Sequence, residues 1–349
     1  MYRRQFLRSL HVMGANIILP ASELSGEDGS VITPTNTPVL VAPENLVEVT
    51  ASAWAIPKVG IVAIGGIGSA ILKDIEGRLP YVARSIAIDT DVRSLRRVKA
   101  DCKIRVGHDR DLPRDHHCVR LLAQSSIAEI ADAVAGLNMV FLITGMGGTA
   151  ESGIAPIVAQ ILREHDILTL AFASLPSCFE NQQRWQIAKT DIRELRSHVD
   201  ALLPFYNGNT AQVAVENASF ACISTQAALA FAKLWQSIMN PICKPDLVNN
   251  DFDDLKHLIL GHEGDCAFGF GSGNSAEAAA LTAIDCPQLG QHRLQRAAAV
   301  LMTVRASTGV LKLGVSTSAM RSIRKQLPQD PWIIYGAYHD DTLGDCRLW

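Results

Sequence analysis

Residues 140–156 constrain the fold more than any other part of this chain. The apolar run Val140-Phe141-Leu142-Ile143 passes through Thr144 into Gly145-Met146-Gly147-Gly148-Thr149-Ala150-Glu151-Ser152-Gly153, and Ile154-Ala155-Pro156 then opens a helix pattern over 154–165. A buried strand feeding a glycine-rich loop and a helix is the unit of a parallel sheet covered on both faces. The same grammar occurs earlier. Residues 58–64 (KVGIVAI) end in Gly65-Gly66-Ile67-Gly68, with a helix pattern from Ser69 to about Glu76. Residues 85–88 (SIAI) end in Asp89-Thr90-Asp91, 103–106 read as a third strand, 125–137 as a helix and 168–172 as a strand. The spacing therefore predicts a Rossmann-like α/β domain. Three of its strand ends meet on the side where open α/β sheets bind ligands.

Glycines 65, 66 and 68 with Ser69 let backbone N–H groups approach a phosphate at a helix N-terminus. The same turn also serves plain helix–strand packing, which needs no ligand. Asp89 lies 24 residues beyond Gly65, where a dinucleotide enzyme places its ribose-binding carboxylate, so an oxidoreductase reading is open at this point. Asp91 also reads as an ordinary helix cap.

The third glycine loop separates these readings. The stretch from Val140 to Pro156 strongly resembles the phosphate loop of the FtsZ family, GMGGGTGTGAAP, and dehydrogenases carry no such loop after their fourth strand. The resemblance continues in order. Asp166-Ile167-Leu168-Thr169 is similar to the next family strand, and Phe179-Glu180-Asn181-Gln182-Gln183-Arg184 to its FEGKKR segment. His198-Val199-Asp200-Ala201-Leu202 matches a strand entry, and Asn249-Asn250-Asp251-Phe252-Asp253-Asp254-Leu255 resembles NVDFADV. Gly269-Phe270-Gly271-Ser272-Gly273 and Ala276-Glu277-Ala278-Ala279 match the C-terminal part, so the likeness spans about 57–335.

The resemblance implies an FtsZ/tubulin-like architecture. A leader and linker over 1–54 precede a nucleotide-binding GTPase-like domain over 55–210, a long central helix over 211–240 and a smaller C-terminal α/β domain over 241–349. It implies GTP or GDP held by Gly65, Gly66, Gly68, Ser69, Asp89, Asp91, Gly145, Met146, Gly147, Gly148, Thr149, Ser152 and Gly153, with Glu180 and Arg184 facing the nucleotide. Asp251 and Asp254 take the catalytic positions, acting on the next subunit's nucleotide with Mg²⁺. Head-to-tail stacking is a heterologous contact, which produces open filaments. Membrane-associated partners, a role in cell division or membrane remodelling and a cytoplasmic location follow from the same likeness. A hydrolysis-deficient relative of the same fold is the alternative.

Three departures qualify the match. Glu151 stands where the family has glycine, and a carboxylate about 4 Å from a phosphate costs on the order of 4 kcal/mol at an effective dielectric near 20. That is roughly a thousandfold in affinity. The ungapped alignment puts Ser224 and Ala228 where the family holds the guanine base, with Asn217 and Phe220 as substitutes only if the helix shifts by a turn. Asp251 and Asp254 also read simply as an acidic helix start favoured by the dipole.

Composition closes other routes. Net charge is −3, so there is no basic field for nucleic acid. Eight scattered cysteines without a CxxC pair argue for reduced thiols rather than a zinc or redox site. His108, His116 and His117 fall in a polar stretch, expected to be a solvated loop without zinc-ligand spacing. Arg3-Arg4-Gln5-Phe6-Leu7 looks like a twin-arginine export signal, but His11 and Asn16 interrupt the apolar stretch that follows, which favours a basic tail.

Overall fold

The computed structural model describes residues 56–107, 116–177, 180–207, 220–244, 246–262, 266–289, 291–328, 331–341 and 346–348. The expected leader with its twin-arginine stretch, His108, Phe179 and Asn217 lie outside them. The described residues belong to one compact unit, Trp54–Trp349.

Strands β1 (Val59–Ile64), β2 (Val82–Asp89), β3 (Cys102–Arg105), β4 (Met139–Gly145), β5 (Leu168–Leu175) and β6 (Ala201–Tyr206) form one sheet in the order β3-β2-β1-β4-β5-β6. Every pairing is parallel. All residues of β1, β4 and β5 are buried, the unbroken apolar run of a strand covered on both faces. Helices α1 (Gly65–Asp74), α2 (Val92–Arg97), α3 (His116–Ser125), α4 (Ile127–Val134), α5 (Thr149–Glu164) and α6 (Gln182–Arg196) make the crossovers. The strand order reverses between β1 and β4, whose ends align at Ile64 and Thr144. That reversal opens a crevice beyond the carboxyl ends of the strands.

Two of the expected loops are helical. α5 begins at Thr149 rather than Ile154; Ala150 and Glu151, both good helix formers, stand where the family loop reads Thr-Gly. His116 and His117 open α3 instead of lying in a loop. On the N-terminal side α1 likewise starts at Gly65 rather than Ser69, with Gly65 at φ +69°, a conformation suited to glycine.

The central helix α7 runs Phe220–Cys243. At about 1.5 Å per residue its described part is ~36 Å long, and residues 211–219 of the expected helix lie outside the described residues. The helix does not stop before Pro241, which lies inside it. A proline removes the N–H that would bond the carbonyl four residues back. That carbonyl, of Ser237, accepts instead from Thr303 Oγ1 at 2.8 Å. Phe231 and Trp235 of α7 are fully buried against β4 and β5, with the Phe141 ring 4.9 Å from Trp235 and the Phe172 ring 5.5 Å from Phe231.

After α7 come α8 (Phe252–Leu260), β7 (Gly271–Gly273), α9 (Ala276–Ile284), α10 (Gln291–Leu294), β8 (Ala299–Ala306), α11 (Leu313–Arg324), β9 (Trp332–His339) and β10 (Cys346–Leu348). Their sheet has the order β7-β10-β8-β9, with β8 and β9 parallel and β10 antiparallel to both its neighbours. Alanines 276, 279, 280 and 283 of α9 pack with Met302, Val304 and Ala319 as a separate core. No described helix is long and apolar enough to cross a membrane.

Candidate functional site: two glycine turns at the strand reversal

The crevice between β1 and β4 is floored by two glycine turns and the first turn of α5. Gly68 sets the depth: a Cβ there would lie 2.6 Å from the Ile143 carbonyl oxygen, so only glycine lets α1 approach the end of β4. Gly65 and Gly148 face each other across the crevice, and the Glu151 carboxyl stands between them. A Cβ on either glycine would collide with its oxygens, and one on Gly145 would lie 3.7 Å from Oε1. The carboxyl accepts hydrogen bonds from the Gly66 N–H and from its own backbone N–H. Glu151 as a residue is half-buried, but its carboxyl is enclosed. Burial pushes its pKa up and the nearby Asp89 charge adds to this, while Arg184 and the two amides pull the other way.

Asp191 holds the loop from its other side, and nothing in the sequence pattern singled it out. Its Oδ2 accepts from the Gly147 N–H at 3.0 Å and from Ser152 Oγ at 2.5 Å. Burial raises the Asp191 pKa against those two bonds. Ser152 Oγ also lies 2.6 Å from the Gly148 carbonyl, and Met146 N–H bonds the Ser174 carbonyl at 2.9 Å. Gly147, at φ +80°, has no room for a side chain beside Arg184, whose carbonyl oxygen would be 2.6 Å from a Cβ. Asp191→Ala leaves the half-buried Gly147 N–H without its acceptor and removes one of the two acceptors of the Ser152 hydroxyl. We expect it to cost about 1–3 kcal/mol of stability, measured by urea unfolding; a change under about 0.5 kcal/mol would show that the loop does not depend on this carboxylate.

The other expected residues are placed as follows. Asp89 is buried and faces Glu151, and its Oδ1 accepts from the Asp91 N–H at 3.1 Å. Asp91 is the N-cap of α2, accepting from the Arg93 N–H at 2.9 Å. Ser69 is buried in α1 with a hydroxyl that has no hydrogen-bond partner. Thr149 opens α5 and Gly153 packs against Val119 and the His116 carbonyl of α3. Glu180 Oε1 accepts from the Ser177 N–H at 2.6 Å and its Oε2 pairs with Arg184 at 3.0 Å. Arg184 thus stands beside Gly147 with its buried Nε unpartnered.

Asp251 and Asp254 are not in the crevice turns. They begin α8, where Asp251 is the N-cap rather than a helical residue, and each carboxylate accepts from the other's backbone N–H, at 2.6 and 3.3 Å. Of the residues aligned with base binding, Ala228 is buried in the core under the sheet, and Ser224 lies on α7. Among the described residues no three His, Cys, Asp or Glu side chains gather to hold a metal ion.

The sequence profile described as "Tubulin/FtsZ family, GTPase domain" matches residues 58–215. Cell division protein FtsZ 2 of Rhizobium meliloti is 30% identical over 294 residues, covering 82% of this chain and 84% of that protein. The chain belongs to the FtsZ/tubulin family. Cell division protein FtsZ of Caulobacter vibrioides is 32% identical over 295 residues, 82% of this chain; the match spans 58% of that longer protein. Among solved structures, an empty FtsZ dimer from M. jannaschii is 28% identical, with TM-score 0.75 over 84% of this chain and 87% of that one. A CetZ2 protofilament from Haloferax volcanii, at 17% identity and TM-score 0.70 over 83% and 91% of the two chains, shares the fold.

Membership in the FtsZ/tubulin family leaves the dinucleotide reading without support, and the geometry agrees. Asp89, the residue on which that reading relied, faces a second carboxylate. In this chain the helix already includes Ala150 and Glu151, and the Glu151 carboxyl turns back between the two glycine turns.

Proposed function

We propose that this chain is a guanine-nucleotide-binding, filament-forming FtsZ-like protein of the cytoplasm, which hydrolyses GTP where subunits stack head to tail. The observation that carries the reading is the pair of glycine turns, 65–68 and 145–148, brought together at the β1/β4 reversal of a family GTPase sheet. Gly65, Gly66, Gly68, Ser69, Gly145, Met146, Gly147, Gly148, Thr149, Ser152 and Gly153 bound the phosphate side. Asp89, Asp91, Glu180 and Arg184 bound its rim. Any Mg²⁺ would come with the nucleotide, since such ions are usually held by one or two carboxylates plus substrate phosphates. Cell division is the setting that the relatives' names suggest; membrane remodelling, with membrane-associated partners, is the wider form of the same proposal.

Calorimetry with GDP, GTP and NAD tests the binding half. Guanine nucleotide is expected to bind, more weakly than to a family member with glycine at the Glu151 position, and NAD not at all. Sedimentation with and without GTP tests the assembly half. Absence of guanine-nucleotide binding to the full chain at millimolar ligand would sink the first half, and a pellet indifferent to nucleotide the second. Assembly without phosphate release is the hydrolysis-deficient outcome.

A further inference from the structure

The groups that would receive a phosphate already have anionic partners within the chain. The Gly66 N–H donates to Glu151, the Gly147 N–H donates to Asp191, and the two Glu151 oxygens lie against Gly65 and Gly148, where a side chain has no room. Backbone amides at a helix start with a carboxylate lodged among them satisfy the same electrostatic demand that a bound phosphate would meet. We infer that the Glu151 carboxylate is a tethered occupant of the phosphate cradle, so that a phosphate-bearing ligand enters only by displacing it, and that this residue sets the affinity of the site for anions.

The inference deepens the proposed nucleotide-binding function and rests on it for the identity of the ligand. It differs from simple charge repulsion. A repelling carboxylate could stand anywhere near the site, whereas this one fills the space between the two glycine turns and takes one of their amides. Displacing it costs the Gly66 bond and moves an anion towards Asp89 or out to water. Arg184 on α6 is the cation facing it, and Asp89 on β2 the anion. On the far side of the loop, Asp191 has His116 and Glu194 around it. Protonation weakens the carboxyl's hold on the Gly66 amide and removes its repulsion of an incoming phosphate. Anion binding should therefore take up a proton, and affinity should rise as pH falls. Burial and Asp89 place that rise above the ordinary carboxylate range.

Inorganic pyrophosphate and GDP, each titrated into the full chain, its Glu151→Gln variant and its Glu151→Gly variant, test this by calorimetry and thermal melting. The variants are expected to bind pyrophosphate roughly ten- to a thousandfold more tightly than the wild type, with Tm rising with pyrophosphate in the variants far more than in the wild type. As pH is lowered from 8, the wild-type affinity should approach that of Glu151→Gln. Comparing the two cancels the ligand's own protonation. Should Glu151→Gly fail to fold, the isosteric glutamine and the pH series decide alone. Equal pyrophosphate affinity in all three chains, or none in any, overturns the inference. Equal and tight GDP binding in all three would overturn it too, leaving the nucleotide-binding function intact. Tight pyrophosphate binding in the variants with no gain from the guanosine of GDP would uphold it and count against guanine nucleotide as the ligand.

Discussion

Trp235→Ala is expected to lower the unfolding free energy by about 3–5 kcal/mol, the cost of emptying a fully packed aromatic site. Trp235 is fully buried, with ring centres 4.9 Å from Phe141 and 6.4 Å from Phe231, and its Nε1 donates to the Pro80 carbonyl at 2.9 Å. Alanine removes the ring and also leaves that carbonyl without its donor. The residue ties α7 both to β4 and to the segment between α1 and β2, so its loss loosens the helix where it underlies the six-stranded parallel sheet. Trp235→Phe keeps most of the packing and should cost clearly less. Leu229→Ala, on the same helix but 43% exposed, is the control and should stay within about 0.5 kcal/mol. Guanidinium unfolding of the full chain reads all three. A Trp235→Ala effect no larger than that of Leu229→Ala would show that α7 does not lock the sheet.

The central helix shows what could be read from sequence and what could not. An alanine-rich stretch apolar on most sides states that it is buried, and Phe231, Trp235 and Met239 are. Where the helix ends was misjudged at Pro241, because the compensation for its missing N–H comes from Thr303, 66 residues away from Ser237 in sequence. The strand–glycine–helix units were legible for the opposite reason: period, punctuation and burial are all local there. Glu151 falls between these cases. Its charge beside a phosphate loop was visible, but the return of its carboxyl onto the Gly66 amide depends on α5 starting five residues earlier than the glycines suggested. Asp191 was invisible. It sits in the polar helix α6, 44 residues from Gly147, with no periodic or motif signal to lift it from its neighbours. Nor did any pattern mark 346–348 as the strand that fits between β7 and β8.

Asp254→Ala should lower GTP turnover about a hundredfold, the scale of a lost general acid–base or water-positioning group, while leaving nucleotide affinity nearly unchanged. Loss of chemistry and loss of helix capping would coincide in that variant, because Asp251 and Asp254 form a reciprocal capping box. Losing a cap costs about 1 kcal/mol of stability, which alone does not slow a folded enzyme a hundredfold. Asp254→Asn provides the separation, since its amide oxygen can still accept from the Asp251 N–H. If the negative charge is what the reaction uses, Asn should be as slow as Ala while melting close to the wild type. A pH profile adds a second readout. Partial desolvation at the helix start, with the Asp251 charge beside it, pushes the Asp254 pKa up against the pull of the backbone hydrogen bond. A carboxylate that must be ionised then loses activity on acidification at a higher pH than an ordinary aspartate, and that limb should vanish in Asp254→Asn. Because the proposed site is completed only by a neighbour's α8, the wild-type rate per subunit should also climb with protein concentration and level off once filaments form. A rate per subunit that stays constant down to monomeric dilution would sink the shared site. A full rate in Asp254→Asn would instead confine these carboxylates to capping α8.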